Sequence, residues 1–182
     1  MEDSFIVTQV NNGNTQAFRL LVLRYQKSLF RYLLSFHLPQ SHVEELAQET
    51  FVRSFKSLKG YDSQKAEFST WLFVIAKNLA LNELSRHSYN KEIQINKDSD
   101  SVEYETPLSA LEKKELSKNM KNWLSMLPRQ FQGALTLFHL NEMSLEEIAE
   151  IESCSVGTVK SRIFRGKELL KELIVKNFKE GL

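Results

Sequence analysis

The sequence predicts an all-α fold of two small helical domains joined by an acidic flexible linker, and three observations predict it. Apolar residues recur at three- and four-residue intervals over long stretches, with almost none of the Val/Ile/Thr alternation that marks strands. Glycine and proline are scarce, at six and three in 182 residues, so little interrupts the helices. A change of composition divides the chain into residues 1–90, a tether over 91–107 and residues 108–182.

In the first segment a helix is predicted from Thr15 to Phe36, with Phe18, Leu21, Val22, Tyr25, Leu29, Phe30 and Leu33 forming a wide apolar face. Pro39 and Ser41 break and restart the chain. The next helix, Ser41 to about Leu58, buries Val43, Leu46, Ala47, Phe51 and Phe55, and its other face carries Glu44, Glu45, Gln48, Glu49, Arg53 and Lys56. A polar loop with two aromatics, Lys59 to Phe68, leads into a helix from about Ser69 that carries Trp71, Leu72, Ile75, Ala76, Leu79 and Leu84. Aromatic and polar side chains at the mouth of a helical bundle can hold an unpaired base, and Lys77, Asn78 and Arg86 could hold backbone or bases. From composition alone, Tyr61, Phe68 and Trp71 are more often core or loop anchors, and the acids usually a solvated helix face.

The tether, Lys91 to Pro107, holds five acids and two lysines and few large apolar residues. Beyond it, Ser144 to Arg165 has the spacing of two helices around a tight turn. Ser144 caps the first helix, Glu147 closes a capping box, and Leu145, Ile148, Ala149 and Ile151 turn inward. Ser155 caps the second helix, whose Val156, Val159 and Ile163 point back at the first. Gly157, Thr158, Lys160, Ser161, Arg162, Phe164 and Arg165 remain outward.

Charge follows the same division. Five acids and no bases lie between Glu142 and Glu152, whereas Ser155 to Lys179 carries seven bases against Glu168 and Glu172. Such a field favours one helix facing DNA, and an α-helix fits the major groove. The plainer reading is an αα-hairpin with a solvated basic stripe.

Other function classes find little support. The net charge of +1 names no partner. The single cysteine, Cys154, excludes an internal disulfide framework and reads as an apolar filler of the turn. Four scattered histidines lack ligand spacing, so neither a metal nor a cofactor is expected. No acid/base constellation marks an enzyme. The acidic start is no export signal and no apolar run approaches the roughly 20 residues needed to span a bilayer. The expected location is the cytoplasm, without direct membrane insertion.

Four stretches, in this order, resemble the extracytoplasmic-function (ECF) sigma factors of the bacterial sigma-70 family. They are Glu44 to Phe55, Phe68 to Ala80, Leu127 to Gln132, and Ser144 to Arg165, and the resemblance runs from about Asn12 to Leu173. It implies a non-enzymatic promoter-specificity subunit that binds core RNA polymerase and promoter DNA in a stress or envelope response. By the resemblance, Glu45, Gln48, Glu49 and Arg53 contact polymerase. The loop from Gly60 to Phe68, with Tyr61 and Phe68, would capture a flipped base of the minus-ten element. The following helix, with Trp71, Lys77, Asn78 and Arg86, would meet melted and duplex DNA.

The second segment would read the minus-thirty-five element through Lys160, Ser161, Phe164 and Arg165, with Thr158 and Arg162 at phosphates or the rim. The tether acids Asp98, Asp100, Glu103 and Glu105 would thread a polymerase channel, or serve as a solubilising linker. An anti-sigma factor could clamp both domains. The alternative is a stand-alone helix-turn-helix regulator that needs no polymerase.

Three positions depart from the family pattern. Ser153 replaces the usual turn glycine, which asks for a left-handed serine or another turn geometry. Glu152 takes a place usually apolar, which predicts a narrower buried face for the first helix. The basic run after the melting helix shrinks to Arg86, His87 and Lys91.

Overall fold

The computed structural model describes residues 2–93 and 119–180, all helix and turn with no strand among them. The tether acids and residues 94–118 lie outside the described residues. In order, α1 is Asp3–Asn11, α2 Phe18–Leu33, α3 Gln40–Ser57 and α4 Phe68–Ile93. Next come a helical segment over 119–125 (α5), α6 Arg129–Leu135, α7 Leu145–Glu152 and α8 Val156–Glu180. The predicted Thr15 to Phe36 helix is α2 with a tight 3₁₀ turn at each end, Thr15–Ala17 and Leu34–Phe36. It ends at His37, whose left-handed φ of 54° reverses the chain ahead of Pro39.

Helix α1 has no counterpart in the expectations from sequence. Its Ile6, Val7 and Val10 lie one and three positions apart, an apolar face on a helix of nine residues, and all three are buried. Asp3 fastens α1 to α2 by accepting from Arg24 and from the Tyr25 hydroxyl.

Helix α2 buries Phe18, Leu21, Leu29, Tyr32 and Leu33 against α3 and α4. Helix α3 turns Val43, Leu46 and Phe51 inward as expected, but Phe55 stays 41% exposed, touching Phe18 edge-on at 5.1 Å. Helix α4 runs through Ile93, three residues into the stretch assigned to the tether. Its Leu72, Phe73, Ala76, Leu79 and Ala80 are buried.

In the second half, α6 crosses α8 at Gly166. A β-carbon there would stand 3.0 Å from Leu135 Cδ1 and 3.3 Å from Phe131 Cβ, so the helices approach as closely as a hydrogen side chain allows. The apolar core is continuous between the halves, reaching from Ile6 and Leu29 to Ile148 and Ile163. Helix α7 packs directly on α4.

Candidate nucleic-acid interface

The helix-turn-helix is built as its spacing predicts. Ser144 Oγ accepts from Glu147 N at 3.2 Å and Glu147 Oε2 accepts from Ser144 N at 2.8 Å, completing the capping box. Ile148 and Ile151 are fully buried, while Leu145 and Ala149 pack at the core margin. The turn residue Ser153 adopts φ 53°, ψ 49°, the left-handed alternative that a serine can take at a cost. Thr158 N then donates to Ser155 Oγ at 3.1 Å, capping α8.

Val159 and Ile163 anchor α8 inward, and Lys160, Ser161, Phe164 and Arg165 face solvent along one side. Phe164 is 67% exposed, a large ring left out of the core in the middle of a polar face. Arginine, lysine and serine there can donate to guanine edges and phosphates, and the ring can meet a thymine methyl. Thr158 is half-buried beside its cap. Arg162, expected outward, is drawn inward: Nη1 stands 3.5 Å from Glu152 Oε2 and 3.7 Å from Cys154 Sγ.

In the first half of the chain, Tyr61, Phe68 and Trp71 form one aromatic cluster. Tyr61 meets Trp71 at 5.1 Å and Phe68 edge-on at 5.7 Å, and Phe68 also meets Tyr25 at 5.7 Å. The Tyr61 hydroxyl donates to Ala66 O at 2.9 Å and Gln64 N donates to Asp62 Oδ1 at 3.0 Å, so the loop is closed on itself. Burial, and after it the charges of Glu67, Asp3 and Asp62, push the Tyr61 pKa up to about 12.

Phe68 corrects an expectation: it is fully buried, a floor for the cluster rather than a face open to a base. Tyr61 and Trp71 are half-exposed and form its rim. Asn78 and Arg86 are exposed further along α4. Lys77, expected at the DNA, is buried with Nζ donating to Ser153 Oγ at 3.0 Å, because α7 lies over that face of α4. Desolvation lowers its pKa.

On α3, Glu45, Gln48 and Arg53 are exposed and Glu49 half-exposed, with Arg53 Nε donating to Glu49 Oε1 at 2.6 Å. These residues and the exposed Val52 share one helix face.

Glu152 is a further correction. The expectation was a narrower apolar face on α7, yet the carboxylate is buried and α7 stays covered because partners surround the charge. The Tyr32 hydroxyl donates to Oε1 at 2.7 Å, and Arg129 Nη2 lies 3.3 Å from Oε2. Burial first, and the Glu152 charge next, raise the Tyr32 pKa well above its ordinary value, so the hydroxyl stays a donor. Sequence alone singled out neither Tyr32 nor Arg129; the oddity of an acid at 152 was the available signal. Among the described residues no group of acids, histidines and cysteine could hold a metal ion.

Comparison with known proteins agrees with this layout. Residues 21–89 match the family description Sigma-70 region 2, and residues 119–170 match Sigma-70, region 4. The chain is 33% identical to the ECF RNA polymerase sigma-E factor of Haemophilus influenzae over 96% of each chain. It is 34% identical to that of Escherichia coli K12 over 93% of each. Its fold is similar to that of CnrH, solved in complex with the cytosolic domain of CnrY, with a TM-score of 0.68, 26% identity, and coverage of 96% of this chain and 97% of the other. It is also similar to the sigma factor RpoE of Bartonella quintana, solved with the anti-sigma factor NepR, with a TM-score of 0.72, 22% identity, and coverage of 86% and 96%.

Proposed function

This chain belongs to the sigma-70 family as an ECF sigma factor, a subunit that directs RNA polymerase to particular promoters, and we propose how its residues divide that work. The observation that carries the assignment is the capped helix-turn-helix whose second helix leaves Lys160, Ser161, Phe164 and Arg165 open to solvent. These read the minus-thirty-five element in the major groove, Arg165 and Lys160 by donating to bases or phosphates. Thr158 supports them at the rim of the contact.

In the first domain, 1–90, the α3 face of Glu45, Gln48, Glu49 and Arg53 docks on core polymerase. Tyr61 and Trp71 hold a flipped base of the minus-ten element against the Phe68 floor, while Asn78 and Arg86 hold backbone. The free energy for strand opening comes from binding unpaired bases more tightly than paired ones. The chain performs no covalent chemistry of its own; polymerase supplies the catalysis, and the work takes place in the cytoplasm on a stress or envelope regulon. No helix among the described residues is long and apolar enough to cross a membrane.

An anti-sigma factor completes the proposal. CnrH was solved in complex with the cytosolic domain of CnrY, and here the exposed Met126 lies beside Leu169 and Leu173 of α8 and leaves apolar surface for such a partner. The stand-alone regulator is not favoured, because the relatives extend over both domains. In vitro transcription tests the reading: core polymerase with this chain initiates at a subset of a genomic promoter library. Initiation at none, beside a working control sigma, rejects it.

A further inference from the structure

Two promoter elements named for positions ten and thirty-five are about 25 base pairs apart, roughly 85 Å of duplex at ~3.4 Å per base pair. A compact chain of this length has a radius of gyration of about 16 Å and spans on the order of 40 Å. The arrangement seen here therefore holds the domains too close to sit on both elements together. It also covers part of the minus-ten helix: α7 lies on α4, where Thr70 Oγ1 donates to Glu147 Oε1 at 3.2 Å and Lys77 Nζ to Ser153 Oγ at 3.0 Å.

Other contacts close the same junction. His37 Nε2 pairs with Gln132 Oε1 at 2.7 Å, Asn141 Nδ2 donates to Ser28 O at 3.2 Å, and the Arg129 guanidinium stacks over Phe36 at 4.7 Å. At the centre sits Glu152, taking the Tyr32 hydroxyl from the first domain while facing Arg129 and Arg162 of the second. Gly133 brings α6 against Tyr32 and Ser35, where a β-carbon would meet Ser35 Oγ at 3.4 Å and Tyr32 Cε2 at 3.7 Å in ordinary contact.

We propose that Glu152 is a latch that holds the free chain in a closed state unable to engage a whole promoter, and that opening it releases Arg162 from the carboxylate to the DNA face of α8. One side chain then sets both the interdomain contact and the supply of a DNA-binding cation. The latch presupposes the promoter reading for its purpose but not for its test in the free protein.

In the full chain carrying Cys154→Ser, dyes on Asn12→Cys and Lys171→Cys report the interdomain distance by energy transfer. Transfer is high in the parent. Tyr32→Phe, which keeps the ring, and Glu152→Gln each shift the population about tenfold toward the open form, as expected for losing a hydrogen bond to a charged group. Unchanged transfer in both variants, with helix content intact, overturns the latch.

A reversible lock gives a second arm. A β-carbon at Gly133 would meet the Ser35 side chain, 3.4 Å from its Oγ, so cysteines at the two positions bring their side chains together, as a disulfide with β-carbons about 3.5–4.5 Å apart requires. The variant Ser35→Cys/Gly133→Cys/Cys154→Ser, oxidised, loses transcription at least tenfold and regains it with dithiothreitol. Equal transcription in both redox states overturns the proposal. Silence in the reduced and parent chains alike rejects the promoter reading instead, and the energy-transfer arm still decides the latch.

Discussion

Replacing Gly166 by alanine sets two opposed effects against each other at one atom. In a helix interior alanine is favoured over glycine by about 1 kcal/mol, so on α8 alone the change stabilises. Against this, the new methyl would meet Leu135 Cδ1 at 3.0 Å, Leu135 Cγ at 3.1 Å and Phe131 Cβ at 3.3 Å. Cδ1 could swing away, but Cγ and Cβ lie close to the α6 backbone, so the helices must separate by a few tenths of an ångström. Overpacking of this kind costs ~1–3 kcal/mol, which outweighs the propensity gain and leaves a net loss of about 1 kcal/mol.

For a chain of this size that is roughly 2–4 °C in melting temperature. Denaturant titration followed by circular dichroism measures it, and the pair Leu135→Ala/Gly166→Ala isolates the cause. With Leu135 truncated its two crowding atoms are gone and only Phe131 Cβ remains close, so Gly166→Ala becomes neutral or favourable in that background. A parent chain made more stable by the whole propensity gain refutes the close-crossing argument.

The two kinds of α8 contact separate by specificity. Arg165→Ala costs ~1–3 kcal/mol at one promoter position and relaxes preference there, whereas Lys160→Ala, if it meets phosphate, weakens all sequences alike and flattens the salt dependence of binding; a promoter-variant panel distinguishes them. Phe68→Ala removes a fully buried ring and destabilises by ~3–5 kcal/mol in denaturant titration. Trp71→Ala leaves folding nearer the parent but loses ~1–3 kcal/mol of affinity for a single-stranded minus-ten oligonucleotide in polymerase complexes. The Tyr61 pKa, raised to about 12 from an ordinary 10.0, makes its stabilising contribution fully present below pH 10 and lost as pH rises through 12. Thermal melts in that alkaline window show a smaller loss for Tyr61→Phe than for the parent; equal losses refute the assignment.

The helix-turn-helix was legible because its determinants are local. Ser144 and Glu147 stand three residues apart, Ser155 caps its own helix, and the apolar spacing selects which face of α8 turns inward. Helix α3 and the aromatic loop were legible for the same reason. Phe68 was not, because the one-residue difference between a rim and a floor at a helix start depends on where α2 places Tyr25. Helix α1 was missed since its three apolar residues gain meaning only once α2 offers Asp3 its partners. Lys77, Arg162 and Glu152 were misplaced together, and for a single reason. Lys77 and Glu152 point into a junction between residues 76 and 120 positions apart, as the Lys77–Ser153 and Tyr32–Glu152 bonds show, and Arg162 follows Glu152 inward, which no periodicity can announce.

The charge count at that junction explains how a closed state can be held without being permanent. One carboxylate, Glu152, faces two guanidiniums, and the buried Lys77 lies within their electrostatic reach, with its pKa lowered by desolvation foremost. Arg129 Nη1 is buried with no hydrogen-bond partner among the described residues. A buried ion pair returns its desolvation cost only when geometry and remaining donors are satisfied, and here the cations outnumber the anion. The closed form thus carries an electrostatic surplus that any polyanion relieves by offering phosphates to Arg162. Replacing Glu152 with leucine, as the family pattern favours, would leave the buried Lys77 and two partly buried guanidiniums facing an apolar side chain. The acid at 152 is therefore bound to Lys77, Arg129 and Arg162 as a set, and its departure from the family pattern is the sequence trace of the interdomain contact.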